Sequence, residues 1–202
     1  MSDNLKLTHR RNSQEFSYLS LKKVIQMSKF SKSLLVLFGL GLFASGSTAQ
    51  DVTSDILENA QDYSDRWVTY GKNYGAWRYM PDAQINRDTI ANLRPVWIKQ
   101  NGVTGGAYEV TALVNDGRMY LTTANSHLIV VDPLTGDELW RYDHDFENVD
   151  LCCGPHNRGV GLHEDKVFYG TLDAHLLAFD AATGIQLWDA EVGDHRESFS
   201  VT

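Results

Sequence analysis

Asp132-Pro133-Leu134-Thr135-Gly136-Asp137-Glu138-Leu139-Trp140 is followed, 48 residues on, by Asp180-Ala181-Ala182-Thr183-Gly184-Ile185-Gln186-Leu187-Trp188. The correspondence extends backwards without a gap. His127-Leu128-Ile129 meets His175-Leu176-Leu177, Thr123 meets Thr171, Tyr120 meets Phe168 and Val114 meets Leu162. Leu93-Arg94-Pro95-Val96-Trp97 reads as the tail of an earlier copy, 43 residues before Trp140. A period of this size, with short strands and turn signals, indicates propeller blades or another β-repeat array.

Each repeat carries the physics of strands. Arg118–Thr123 and Lys166–Thr171 are short and rich in β-branched and aromatic residues, as strands prefer. His127–Asp132 and His175–Asp180 predict the next strands, and Asp132–Gly136 and Asp180–Gly184 predict tight turns whose glycine takes positive φ. Leu139-Trp140 and Leu187-Trp188 then open a further strand, with a large indole at one fixed phase. A tryptophan that recurs in phase is best explained by packing between blades, so Trp97, Trp140 and Trp188 read as structural. The fold class is all-β. Complete propellers have about 4–8 blades, and residues 93–202 supply two repeats plus the tail of another, so a partial propeller with open sheet edges is expected.

The 202 residues carry a formal charge of −8, unevenly spread. Residues 1–50 hold seven Lys or Arg and two Asp or Glu, leaving 11 basic and 24 acidic residues in the remainder, a charge of −13. So acidic a domain repels phosphate backbones, which argues against nucleic acid and in favour of a basic partner. Residues 27–49 have the order of an export signal: Lys29 and Lys32, then an apolar run from Leu34 to Ala44, then the small-x-small sequence Ser47-Thr48-Ala49. The apolar run is too short for a stable membrane span, which needs about 20 residues. Residues 1–26 read as an upstream extension or leader, 50–92 as an N-terminal arm of the mature chain, and 93–202 as the partial propeller. The expected location is the periplasm.

Cys152 and Cys153 are adjacent and are the only cysteines. Neighbouring Cα atoms lie about 3.8 Å apart, closer than the usual span of a disulfide, so a bridge between them is strained and closes almost no chain. Export permits such a bridge. Two small buried thiols are the competing reading. The acidic stretch from Asp143 to Asp150 reads as a solvated loop, and the seven histidines show no dependable ligand spacing.

Five features together resemble the pyrroloquinoline-quinone (PQQ)-dependent alcohol dehydrogenases, the methanol/ethanol dehydrogenase family of quinoproteins. They are Asn73-Tyr74…Arg78-Tyr79…Gln84-Ile85-Asn86 leading to Leu93 and Trp97; Glu109 before the strand Val110–Val114; Cys152-Cys153…Asn157-Arg158-Gly159; the Asp…Thr-Gly…Leu-Trp turns; and the export signal. The resemblance covers residues 64 to 202. It implies an eight-bladed propeller when complete. It also implies a vicinal disulfide, Cys152–Cys153, lying flat against the quinone. Arg158 would pair with a PQQ carboxylate, Glu109 would contact the cofactor and that arginine, and Thr202 would hydrogen-bond the cofactor. The plainer readings are a surface salt bridge for Glu109 and Arg158 and a strand-edge place for Thr202.

In that family a Ca²⁺ or lanthanide ion and a catalytic aspartate complete the site, a small alcohol is the substrate and a cytochrome c takes the electrons. The metal ligands and the aspartate are expected beyond Thr202, so this chain alone is expected to be inactive. The rival reading is a non-catalytic periplasmic propeller scaffold for protein binding, for which the vicinal cysteines with Glu109 and Arg158 have no purpose. A truncated gene product is a third.

Overall fold

The computed structural model describes residues 51–80, 84–106, 108–145, 151 and 154–202. The segments read as a leader and an export signal lie outside the described residues, as do Cys152 and Cys153. The architecture is two four-stranded antiparallel sheets, each a simple meander. The first contains β1 (Leu113–Asn115), β2 (Arg118–Thr122), β3 (Leu128–Val131) and β4 (Glu138–Tyr142). The second contains β5 (Gly161–His163), β6 (Lys166–Gly170), β7 (His175–Asp180) and β8 (Gln186–Glu191). These are two propeller blades, and they match the repeat strand for strand.

The registers repeat as well. Leu113 pairs with Tyr120, Tyr120 with Val130 and Val130 with Trp140. Exactly one repeat on, Gly161 pairs with Phe168, Phe168 with Ala178 and Ala178 with Trp188. Even the register shift recurs, between Val130 and Val131 in one sheet and between Ala178 and Phe179 in the other. β3 is buried along its whole length and reads as an unbroken apolar run, Leu128-Ile129-Val130-Val131, as expected for a strand covered on both faces.

The tryptophans dock each blade on the next. Trp97 donates from Nε1 to the Pro133 carbonyl at 3.0 Å, and Trp140 donates to the Ala181 carbonyl, one repeat later, at 3.2 Å. Each indole lies over the glycine of the turn it caps. A Cβ on Gly136 would fall 2.7 Å from the Trp97 ring, and one on Gly184 would fall 2.6 Å from the Trp140 ring. Both glycines also hold positive φ, at 77° and 73°, so two separate constraints require glycine there. Trp140 is further packed edge-on against Tyr120 (centroids 6.4 Å) and beside Phe179 (6.2 Å). Burial between the blades pushes the Tyr120 phenol up to about 12.

The segment read as an arm is built into this core. Val52 bridges to Glu164 and Trp67 to Val114, so it is clipped to both blades. A short helix, α1 (Ser54–Glu58), is capped by the Thr53 hydroxyl, which accepts from the Ile56 amide at 3.3 Å. Ile56, Ala60 and Val68 join the core with Leu128, Tyr169 and Phe179. Lys72 is fully buried, and its ammonium donates to the carbonyls of Tyr63 and, at 2.7 Å, Arg66. Burial holds its amine below the ordinary lysine value.

A polar bridge also crosses between blades. His144, just past β4, hydrogen-bonds Asp173 of the β6–β7 turn through Nε2 at 2.9 Å and the Tyr142 hydroxyl through Nδ1 at 2.9 Å. Asp173 also accepts from the Thr171 hydroxyl. Burial works against the Asp173 carboxylate, but Thr171 and His144 together hold it below the usual range.

Candidate functional site

Three of the five residues singled out from sequence meet at one corner of the second blade. Arg158 sits in the connection between the blades, after Gly154-Pro155-His156-Asn157 and before β5. Its Nη2 lies 3.3 Å from the Glu109 carboxylate, and its Nη1 donates to the Thr202 hydroxyl at 2.6 Å. Glu109 comes from the approach to β1 and Thr202 from the segment that follows β8. Three stretches distant in sequence are thus brought together by the stacking of the blades. Cys152 and Cys153 belong to the same connection but lie outside the described residues.

The local reasons are specific. The Asn125 amide donates to the Pro155 carbonyl at 3.2 Å, which ties the connection to the β2–β3 turn of the first blade. Gly106 lies against both: a Cβ there would fall 2.8 Å from Ala124 Cβ and 3.0 Å from Pro155 Cγ. That packing places Gly106, close in sequence to Glu109, against the connection that carries Arg158. Strand β1 begins at Leu113, three residues later than the strand expected from Val110. Residues 109–112 instead run beside the Arg158 connection, where the position of a Gly159 Cβ is 3.5 Å from the Thr111 carbonyl.

The side chains of Arg158 and Glu109 are 57% and 37% exposed. An ion pair that open adds about 0–1 kcal/mol to stability. Its geometry matters more: two partners on different nitrogens restrain the guanidinium plane while most of the group faces outward. A half-exposed guanidinium is suited to a planar carboxylate ligand, which it can bind through two parallel N–H groups. The donor set therefore fits a carboxylate-bearing cofactor such as PQQ. Among the described residues no group of three or more His, Cys, Asp or Glu is arranged to hold a metal ion, and none of the helices is long and apolar enough to cross a membrane.

The family described as PQQ, glucose/ethanol/alcohol dehydrogenase β-propeller domain, matches residues 67–190. The chain belongs to this family. Among curated relatives, the dehydrogenase subunit of alcohol dehydrogenase (quinone) from Komagataeibacter europaeus is 37% identical over 134 residues, covering 65% of this chain and 18% of the relative. Among solved structures, the PQQ-family chain is similar to quinohemoprotein alcohol dehydrogenase ADHIIG from Pseudomonas putida HK5, with 31% identity and a TM-score of 0.69 over 76% of this chain and 23% of that one. It is also similar to a europium-containing methanol dehydrogenase, with 31% identity and a TM-score of 0.62 over 69% and 25% of the two chains. This PQQ-family chain spans between 16% and 31% of the length of the curated relatives it matches.

Sequence reasoning found the residues of the corner but not what holds them. In the sequence Asn157 stands out only as part of a motif, yet it is buried and bonded to β6. The His144–Asp173 bridge carried no spacing signal, because its partners lie on different repeats.

Proposed function

We propose that this chain supplies the carboxylate-binding wall of a periplasmic, PQQ-dependent alcohol dehydrogenase. The observation that carries the reading is Arg158, held between Glu109 and Thr202 with its guanidinium largely exposed. PQQ, when bound, supplies the two-electron acceptor chemistry that amino-acid side chains lack. The chain's own residues bind and orient. Arg158 pairs with a carboxylate of the cofactor, Glu109 fixes the guanidinium plane, and the Thr202 hydroxyl keeps the second nitrogen in place and offers its own lone pairs or proton to the ligand. Cys152 and Cys153, joined as a vicinal disulfide, form a flat rigid surface for the ring. In the whole protein the substrate is a small alcohol, a Ca²⁺ or lanthanide ion serves as Lewis acid, and a cytochrome c accepts the electrons. The acidic character of residues 51–202 favours a basic partner of that kind.

The test is titration of the 202-residue chain with PQQ, followed by tryptophan fluorescence. Arg158→Ala is expected to weaken binding about 10–100-fold, the worth of a charge-assisted hydrogen-bonded pair. It should leave the thermal midpoint nearly unchanged, because an exposed pair contributes little to folding. Equal affinity in the two proteins would overturn the assignment, and absence of PQQ binding by the unaltered chain would favour the scaffold reading. The chain by itself is expected to show no dye-linked ethanol oxidation with PQQ and Ca²⁺ or a lanthanide; turnover would refute that.

A further inference from the structure

Arg158 and Thr202 are 44 residues apart in sequence, and the residues just before them, Asn157 and Val201, are tied to neighbouring carbonyls at the end of one strand. Asn157, 2% exposed, donates from Nδ2 to the Gly170 carbonyl at 2.9 Å, and its Oδ1 accepts from the Gly159 amide at 3.0 Å. One side chain thus fixes the backbone on both sides of Arg158. The next carbonyl along, that of Thr171, accepts from the Val201 amide at 3.0 Å. Val201 immediately precedes Thr202.

Gly170 permits this arrangement for a steric reason. A Cβ there would fall 2.3 Å from Val201 Cγ1 and 2.8 Å from Val201 Cβ, so the segment carrying Thr202 lies directly on the strand only because the residue beneath it has no side chain. The site needs such a base. An arginine head group on a long side chain, half exposed and paired at 3.3 Å, wanders unless its main chain is held. Functional side chains work when their supporting shell is locked to about 0.5 Å.

We propose that the Asn157–Gly170–Thr171 joint sets the register of Arg158 against Thr202, making Asn157 and Gly170 positioning residues for the cofactor carboxylate. The cofactor part of this rests on the reading of Arg158 given above. The joint itself does not.

The full chain is prepared with ¹⁵N-labelled arginine, and the Arg158 Nε–Hε resonance is assigned by its loss in Arg158→Lys. In the unaltered chain this resonance is expected away from the free-arginine position. Gly170→Ala should return it towards the free position, because the new Cβ lifts Val201 and Thr202 off the strand. Gly170→Ala/Val201→Gly transfers the glycine across the contact and should restore it. Asn157→Ala should mobilise the same resonance from the other side. In parallel, PQQ affinity should fall about tenfold in Gly170→Ala and recover to within about threefold in the double variant. An unchanged Arg158 resonance in folded Gly170→Ala, or no recovery in the double variant, overturns the joint. If Gly170→Ala fails to fold, Val201→Pro removes the amide given to Thr171, with its ring also displacing the backbone there, and carries the same expectation, with an unchanged resonance again overturning it. Failure of the unaltered chain to bind PQQ overturns the cofactor reading alone, and the arginine resonance still decides the joint.

Discussion

The two blades share a strand order, a register and a register shift, yet corresponding residues live in different surroundings. Trp140 is enclosed by Tyr120 of its own blade and by Phe179, Ala181 and Gly184 of the next. Trp188, its counterpart, packs against Phe168 at 6.1 Å and is 38% exposed, on a strand whose residues are all exposed. His127 and His175 also correspond. His127 has its Nδ1 engaged by the His144 amide at 3.1 Å and only 3.7 Å from Asp143, whereas His175 Nδ1 is 2.6 Å from Asp189. Burial lowers His127 against the pull of Asp143; the Asp189 hydrogen bond raises His175 against burial. A repeat therefore fixes backbone and pairing, while a side chain's energetics depend on which blade face covers it.

The largest test of that contrast is tryptophan truncation. Trp140→Ala is expected to cost about 4 kcal/mol in urea unfolding, as for a large aromatic removed from a packed site, and Trp188→Ala about 1 kcal/mol. Equal losses would break the comparison. Next comes the turn glycine. Gly184→Ala adds a Cβ at 2.6 Å from the Trp140 ring on a positive φ and should cost about 3 kcal/mol. Gly117→Ala, also at positive φ but facing open space, should cost about 1 kcal/mol by calorimetry, the backbone share alone.

The smallest effect sharpens the comparison most. In an NMR titration His127 should titrate below the ordinary histidine value of about 6.5 and His175 above it. The signs for stability are opposite. His127 favours the fold when neutral, so its contribution is present above the ordinary value and lost as pH falls. His175 favours the fold when charged, so its contribution is complete below the ordinary value and lost as pH rises through its raised value. Both side chains are partly exposed, so each slope is small. Titration of both on the same side would show that repeat position, not covering, governs them.

Repeat position was also what made the fold legible. The Asp-x-x-Thr-Gly turns and phased tryptophans announce strands, turns and docking because each is a local signal written twice. The site was legible only as residue types. Glu109, Arg158 and Thr202 were picked out by resemblance, and their convergence depends on blade stacking, which spacing does not encode. Asn157 shows the limit well: an asparagine beside an arginine gives no sign that its amide will be buried against Gly170. The place of residues 51–72 in the core was missed for a related reason, since single bridges such as Val52 to Glu164 leave no periodic trace.

Lys72 offers a clock for that first segment. Its amine is fully buried on the carbonyls of Tyr63 and Arg66, so an acylating reagent reaches it only when residues 63–72 come away from the blades. The partly exposed, ion-paired amines of Lys99 and Lys166 would be consumed first, and the slow labelling of Lys72 would report how often the N-terminal segment opens.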